Sequence, residues 1–273
     1  MTMITADKLS NAEYHRKKGD AIDPISSSDV KMVHSKSLAH WKAKVYKSSP
    51  TFDMGTAVHA MCLEAEKNLV MRGPDTRRGK AWSEAYEAAQ IDGKTLLTSG
   101  DYDLARNIAD SVLFHPVGQR MAGPSTINEA SFFATDPETG LEIKTRPDSY
   151  WEDNGVLYDI KTCQSSDPKS VAKTILDYSY HVQAAFYMKV LTWAGYKAER
   201  FAFVFVEKSA PFAVNVTELT PEFLDYGHAI VDKTLAKIKE ANDVGVYPTG
   251  FSDEINVVDL PRWLQQDAAE FNL

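Results

Sequence analysis

Two aspartates and a lysine close neighbouring strand-like runs. In RPDSYWEDNGVLYDIKT, residues 146–162, one run ends on Pro147–Asp148 and the next on Asp159–Ile160–Lys161. Alternate side chains of a strand share a face, so Asp159 and Lys161 point one way while Val156, Tyr158 and Ile160 point the other and can serve a core. In the preceding run Glu142, Lys144, Arg146 and Asp148 share one face, with Leu141, Ile143 and Thr145 on the opposite one. A hairpin through Glu152–Asp153–Asn154–Gly155 brings Asp148 beside Asp159. Two carboxylates held that close repel unless a cation neutralises them. Hard oxygen donors of this kind suit Mg2+ or Mn2+. A lysine alongside can orient or deprotonate a water, or stabilise developing negative charge. These parts suit metal-assisted hydrolysis of a phosphodiester. An ion pair on a solvated edge hairpin uses the same spacing. What favours chemistry is that both motifs sit at strand ends, after good apolar alternation.

The elements that must position this set change character near residue 125. Before it, helices dominate. Ser26, Ser27 and Ser28 can cap a helix carrying Val30, Val33 and Leu38. DMGTAVHAMCLEAE (53–66), KAWSEAYEAAQ and TSGDYDLARNIADSVLFHP read as helices, NLVMRGP as a short strand and DTRRGK as a basic loop. After it, STINEASFFAT, GLEIKTRPDSYW and GVLYDIKTC read as strands separated by the turns DPETG and EDNG. A helical stretch over about 168–194 follows, then the strands FAFVFVEK and FAVNVTEL. A long helix opens at Thr220–Pro221 and runs to about Asn242. The expected fold is α/β (α+β), a central mixed β-sheet flanked by helices with helical elements at the N-terminal side. Residues 1–24 read as a lead-in, 25–265 as one domain and 266–273 as a tail.

Composition narrows the classes. The 273 residues are enough for a substantial core, and 44% apolar with 25% charged residues is ordinary globular usage. There is no membrane-length apolar run and no signal-like start, so the expectation is a cytoplasmic protein without membrane contact. Cys62 and Cys163 are too few for a four-cysteine zinc or iron–sulfur site. The net charge of −8 argues against a bulk nucleic-acid coat protein but leaves room for one local basic groove.

The residues around the hairpin resemble a known family. Pro147–Asp148 with Asp159–Ile160–Lys161 is similar to the PD-(D/E)xK nuclease motif. Gly55–Thr56–Ala57–Val58–His59 resembles the Gly-Thr-x-x-His helix of RecB-type members, and Gln183–Ala184–Ala185–Phe186–Tyr187 resembles their Gln-x-x-x-Tyr motif. Glu129 matches an acidic position in the preceding strand. Within that superfamily the pattern of DMGTAVHAMCLE, the Arg-Arg/Gly-Lys loop, DPETGLEIKTRPD, YHVQAAFY and LPRW is most similar to RecE-type (exonuclease VIII) nuclease domains, over about residues 21–265.

The resemblance implies that His59, Asp148, Asp159 and the Ile160 carbonyl ligate a metal, with Glu129 holding a metal-bound water or a second ion. It implies that Lys161 positions and activates the attacking water, supported by Gln183 and Tyr187. It implies Mg2+ as cofactor, with Mn2+ as substitute. The activity it implies is digestion of linear double-stranded DNA from its ends, 5′ to 3′, leaving 3′ tails for a RecT-like annealing partner. A ring-shaped homo-oligomer and a phage or prophage recombination setting belong to the same expectation. DNA contacts fall to Arg77, Arg78 and Lys80 in the basic loop, to Arg146, and to Tyr180 and His181 before the glutamine motif. Ser27 or Ser28 is the candidate for a terminal phosphate, and plain helix capping is its alternative. The competing functions are a structure-specific or RecB-like endonuclease, an inactive DNA-end-binding module and a small-molecule phosphoesterase.

Overall fold

The computed structural model describes residues 2–4, 9, 13–14, 23–45, 50–252, 254–262 and 264–265. Most of the lead-in, Trp263 of LPRW and the tail 266–273 lie outside them. In chain order the elements begin with β1 (Thr2–Ile4), α1 (Ser27–Ser35), α2 (Leu38–Lys42), α3 (Pro50–Leu63) and β2 (Val70–Arg72). Next come α4 (Lys80–Ile91), β3 (Thr95–Leu97), α5 (Ser99–Phe114), α6 (Pro116–Met121), β4 (Ile127–Asn128) and β5 (Ser131–Thr135). β6 (Glu142–Thr145), β7 (Ser149–Trp151), β8 (Val156–Cys163), α7 (Pro168–Asp177) and α8 (Tyr180–Trp193) follow. β9 (Arg200–Glu207), β10 (Val214–Glu218) and α9 (Pro221–Val244) complete the series.

The central sheet has the order β10-β9-β8-β7-β4. β8 runs parallel to β9, from Val156↔Arg200 to Cys163↔Glu207, and the other pairs are antiparallel. A parallel neighbour requires a crossover, and α7 and α8 supply it. Alternation along the two inner strands then loads both faces. Leu157, Phe201, Phe203 and Phe205 face α1, α8 and α9, while Val156, Tyr158, Ile160, Ala202, Val204 and Val206 face α3 and α5. The sheet is therefore buried on both sides, as expected for a helix–sheet–helix arrangement.

Two expected strands are each broken in two, and the halves lie in different sheets. STINEASFFAT divides into β4 and β5, and GLEIKTRPDSYW into β6 and β7. β5 and β6 pair with β1 in a second, antiparallel sheet, while β4 and β7 belong to the central one. Pro147 offers no N–H to a ladder, which ends β6. Glu129 takes the left-handed conformation at φ 51°, which turns the chain between β4 and β5. The two breaks are joined, because the Glu129 N–H donates to the Asp148 carbonyl at 3.1 Å. The lead-in also contributes structure: Thr2–Ile4 pairs antiparallel with Ser131–Phe133. The expected helix over 168–194 is divided as well, at Tyr178–Ser179, with Ser179 at φ 52°.

α8 and α9 cross in close contact. A Cβ placed on Gly227 of α9 would lie 2.5 Å from the His181 carbonyl oxygen and 3.0 Å from the Ala185 Cβ, both on α8. Neither neighbour is a flexible side-chain end, so the helices must separate. We expect Gly227→Ala to destabilise the fold by about 1–3 kcal/mol, as overpacking does, read as a lowered thermal midpoint. An unchanged midpoint would show that the crossing is not tightly fitted.

Candidate active site

The two breaks place their acidic residues at one corner. The β7–β8 ladder begins at Ser149↔Tyr158. The next N–H along β8, that of Ile160, has no strand opposite it, and the Asp148 Oδ2 accepts it at 2.6 Å. The other carboxylate oxygen, Oδ1, lies 3.2 Å from His59 Nδ1. His59 projects from α3, behind the sheet, and its Nε2 lies 3.0 Å from the Ile160 carbonyl oxygen. Asp148, His59 and the Ile160 peptide thus form a closed ring of contacts. Glu129 joins it from the left-handed turn: one ligand atom each from His59, Glu129 and Asp148 lie within 4.8 Å of one another.

Asp159 and Lys161 stand on the opposite face of β8, toward α8. Asp159, almost wholly buried, accepts from Gln183 Nε2 at 2.6 Å and forms an ion pair with Lys161. The Lys161 ammonium lies 4.8 Å from the centroid of the Tyr180 ring. Lys31 of α1 donates to Gln183 Oε1 at 3.3 Å and also approaches Tyr180, at 5.5 Å. Tyr187 is hydrogen-bonded to Ser27. Asp159 therefore stands outside the three-residue donor group, engaged with Lys161 and Gln183, while remaining within the field of Asp148.

Charge and burial set the protonation states. Burial by itself lowers the His59 imidazole, but the charge and hydrogen bond of Asp148, with Glu129 and Asp159 behind them, raise it to about 9. Burial, then the like charge of Asp148, raises Glu129 to about 8, with His59 opposing. Burial pushes Asp148 up, but His59, Lys161 and the Ile160 N–H outweigh it and bring the carboxyl below its usual range. Burial opposes the Lys161 charge, yet Asp159 outweighs it and lifts the lysine above its ordinary value. Lys161 is thus a cation suited to holding a water or a phosphate oxygen, and it has no lone pair for a proton. Lys31 is lowered to about 8, by burial first and then by Lys161.

The donor set fits a divalent cation. Two carboxylates and the Ile160 carbonyl offer hard oxygens, and the imidazole adds a donor matched to transition-series ions. Ionised, Glu129 and Asp148 would be like charges at a buried corner, the arrangement that a cation relieves.

The remaining sequence candidates separate. Arg146 does not face solvent: it is buried, donates to Ser131 Oγ at 2.8 Å and to the Leu9 carbonyl at 2.9 Å, and packs on the Tyr14 ring. The sheet break is the reason, since it takes Arg146 off the face that continuous alternation assigned to it. His181 is also buried, its ring stacked against Phe223 and Tyr226 of α9. Ser27 is buried against Tyr187, while Ser28 is exposed and accepts from Lys44 at 3.1 Å. Arg77 is engaged with Asp53 and Asp101 at 3.5 and 3.1 Å. Arg78 and Lys80 are exposed, with Lys80 3.6 Å from Glu84. Lys31 was invisible to motif reading. Its only signal is a cation one turn into α1, on a partly buried face.

At neutral pH His59 and Glu129 both carry protons that a bound cation must displace. Affinity for Mn2+ should therefore rise with pH, more than ten-fold between about 6.5 and 8.5, with proton release measurable by calorimetry in two buffers. A pH-independent affinity would remove both residues from the donor set.

Known proteins place the architecture. A solved structure described as a "putative exonuclease" from Eubacterium rectale superposes with a TM-score of 0.62 at 13% identity, covering 95% of this chain and 98% of its own. A phage related exonuclease from Haemophilus somnus 129PT gives a TM-score of 0.35 at 11% identity, over 83% of this chain and 98% of its own. No curated protein matches the sequence. The model of the PDDEXK-like domain of unknown function (DUF3799) matches residues 26–261, nearly the whole length, and the chain belongs to that family.

Proposed function

We propose that the protein is a divalent-metal-dependent exodeoxyribonuclease acting on the ends of linear double-stranded DNA. The observation that carries the reading is the clustering of the His59, Glu129 and Asp148 donor atoms within 4.8 Å, with His59 and Asp148 both contacting the Ile160 peptide that lies between the ion-paired Asp159 and Lys161. A cation held by His59, Glu129, Asp148 and the Ile160 carbonyl supplies Lewis acidity toward a phosphodiester and lowers the pKa of water. Mg2+ is the proposed ion, with Mn2+ as the substitute that the imidazole favours.

The chain's own groups do the rest. One Asp148 oxygen is anchored by the Ile160 N–H, so only the contact of the other with His59 has to give way to a cation. Lys161, kept protonated by Asp159, donates to the attacking water or to the phosphate and stabilises charge that grows in the transition state. Gln183 holds Asp159 through its amide and takes a hydrogen bond from Lys31 at its carbonyl, which orders the side chain that orders Lys161. Exposed Arg78 and Lys80 can meet the DNA backbone. End-directed 5′-to-3′ digestion, hand-over of 3′ tails to a RecT-like annealing protein, and a ring of identical subunits are part of the proposal on the strength of the RecE-type motif pattern.

Linear and covalently closed forms of one plasmid test it. With Mg2+ we expect acid-soluble nucleotides from the linear form only, and none in EDTA. Cutting of the closed form would move the activity to an endonuclease. Lys161→Ala should lose on the order of 10²–10³ in kcat while keeping DNA binding in a gel-shift assay. Near-normal turnover would end its assigned role.

A further inference from the structure

The joint between α7 and α8 has a geometry that helix packing alone does not require. Ser179 sits at φ 52°, a conformation unfavourable for a residue with a Cβ. Tyr178 and Tyr180, on either side of it, are stacked with centroids 5.6 Å apart and planes 19° apart. Tyr180 rests on Phe203, a wholly buried residue of β9, at 5.5 Å. The stack is thus founded in the sheet and runs outward. Its outer member, Tyr178, is 64% exposed. Scattered exposed aromatics are ordinary. This one is held against a second ring that carries Lys161 at 4.8 Å and Lys31 at 5.5 Å from its centroid.

A fixed aromatic face beside two ammonium groups matches the two parts of a nucleotide. Bases of any sequence stack on a tyrosine, and the adjoining phosphates pair with lysines. We propose that Tyr178 is a stacking platform for a nucleobase of the strand being cut, next to the phosphodiester that Lys161 faces. The inference rests on the nuclease reading and narrows its substrate. A base inside a duplex has both faces covered by its neighbours, so the base that reaches Tyr178 is either the terminal one, whose outer face is open, or one unstacked at a frayed end or on a single strand.

The test uses the full chain as wild type, Tyr178→Ala and Tyr178→Trp, each checked for an unchanged thermal midpoint. On linear DNA with Mg2+, Tyr178→Ala should raise KM on the order of ten-fold, more than it lowers kcat, and Tyr178→Trp should restore KM. On the same DNA with abasic terminal nucleotides, wild type and Tyr178→Ala should converge. An unchanged KM in Tyr178→Ala, or a deficit that persists on abasic ends, would overturn the platform. A second readout does not depend on cleavage. Terminal 2-aminopurine fluorescence should be altered on binding in Ca2+ by wild type and not by Tyr178→Ala; equal responses would overturn the proposal. A wild type that cuts nothing but shows this difference would sink the nuclease reading and keep the base site.

Discussion

The site depends on one hydrogen bond that replaces a missing strand. Where the β7–β8 ladder stops, the Asp148 carboxylate takes the Ile160 N–H at 2.6 Å. An amide left without that partner at a buried sheet position costs roughly 1–3 kcal/mol. The carboxylate meets that need and is itself immobilised by doing so. Its second oxygen is then turned toward His59, and the backbone of Asp148 receives the Glu129 N–H. The same break that ends a ladder thus gathers three donor groups. Broken ladders and bends of this kind are a recurrent way of aiming side chains at active sites.

β8 links this corner to the lysine. Its odd-numbered residues from Leu157 to Lys161 face α8, and its even-numbered ones face α3. Ile160 presents backbone to the His59 side, while Asp159 and Lys161 present side chains to the Gln183 side. Two chemically different half-sites are held at a separation fixed by one peptide unit. Packing on both faces makes that strand among the least deformable parts of the molecule.

Much of this was legible in the sequence, and the exceptions have identifiable causes. Alternation in VLYDIKT correctly paired Asp159 with Lys161 and sent Val156, Tyr158 and Ile160 to the core, because β8 is regular throughout. Alternation misplaced Arg146, because a polar–apolar pattern can continue through a change of sheet, and only Pro147 marked the break. Nothing in the residue type of Glu129 announced a left-handed turn. His181 lies two residues before Gln183 on α8 but packs against Phe223 and Tyr226 of α9, and a helical stretch carries no sign of which neighbour will cover it. The helix expected over 168–194 breaks before Tyr180 because Ser179 turns left-handed, an interruption that could not be read from a serine. Lys31 depends wholly on tertiary packing that brings α1 over α8.

That last packing has a consequence for how the site comes into being. Lys31 meets Gln183 across 152 residues of chain, and His59 meets Ile160 across 101. Contacts so distant in sequence form only after long loops have closed. No contiguous stretch holds both the imidazole and the glutamine clamp around Lys161. The half-sites therefore share the cooperativity of the whole sheet. Such a centre is built late on the folding route and lost with global unfolding rather than by local fraying.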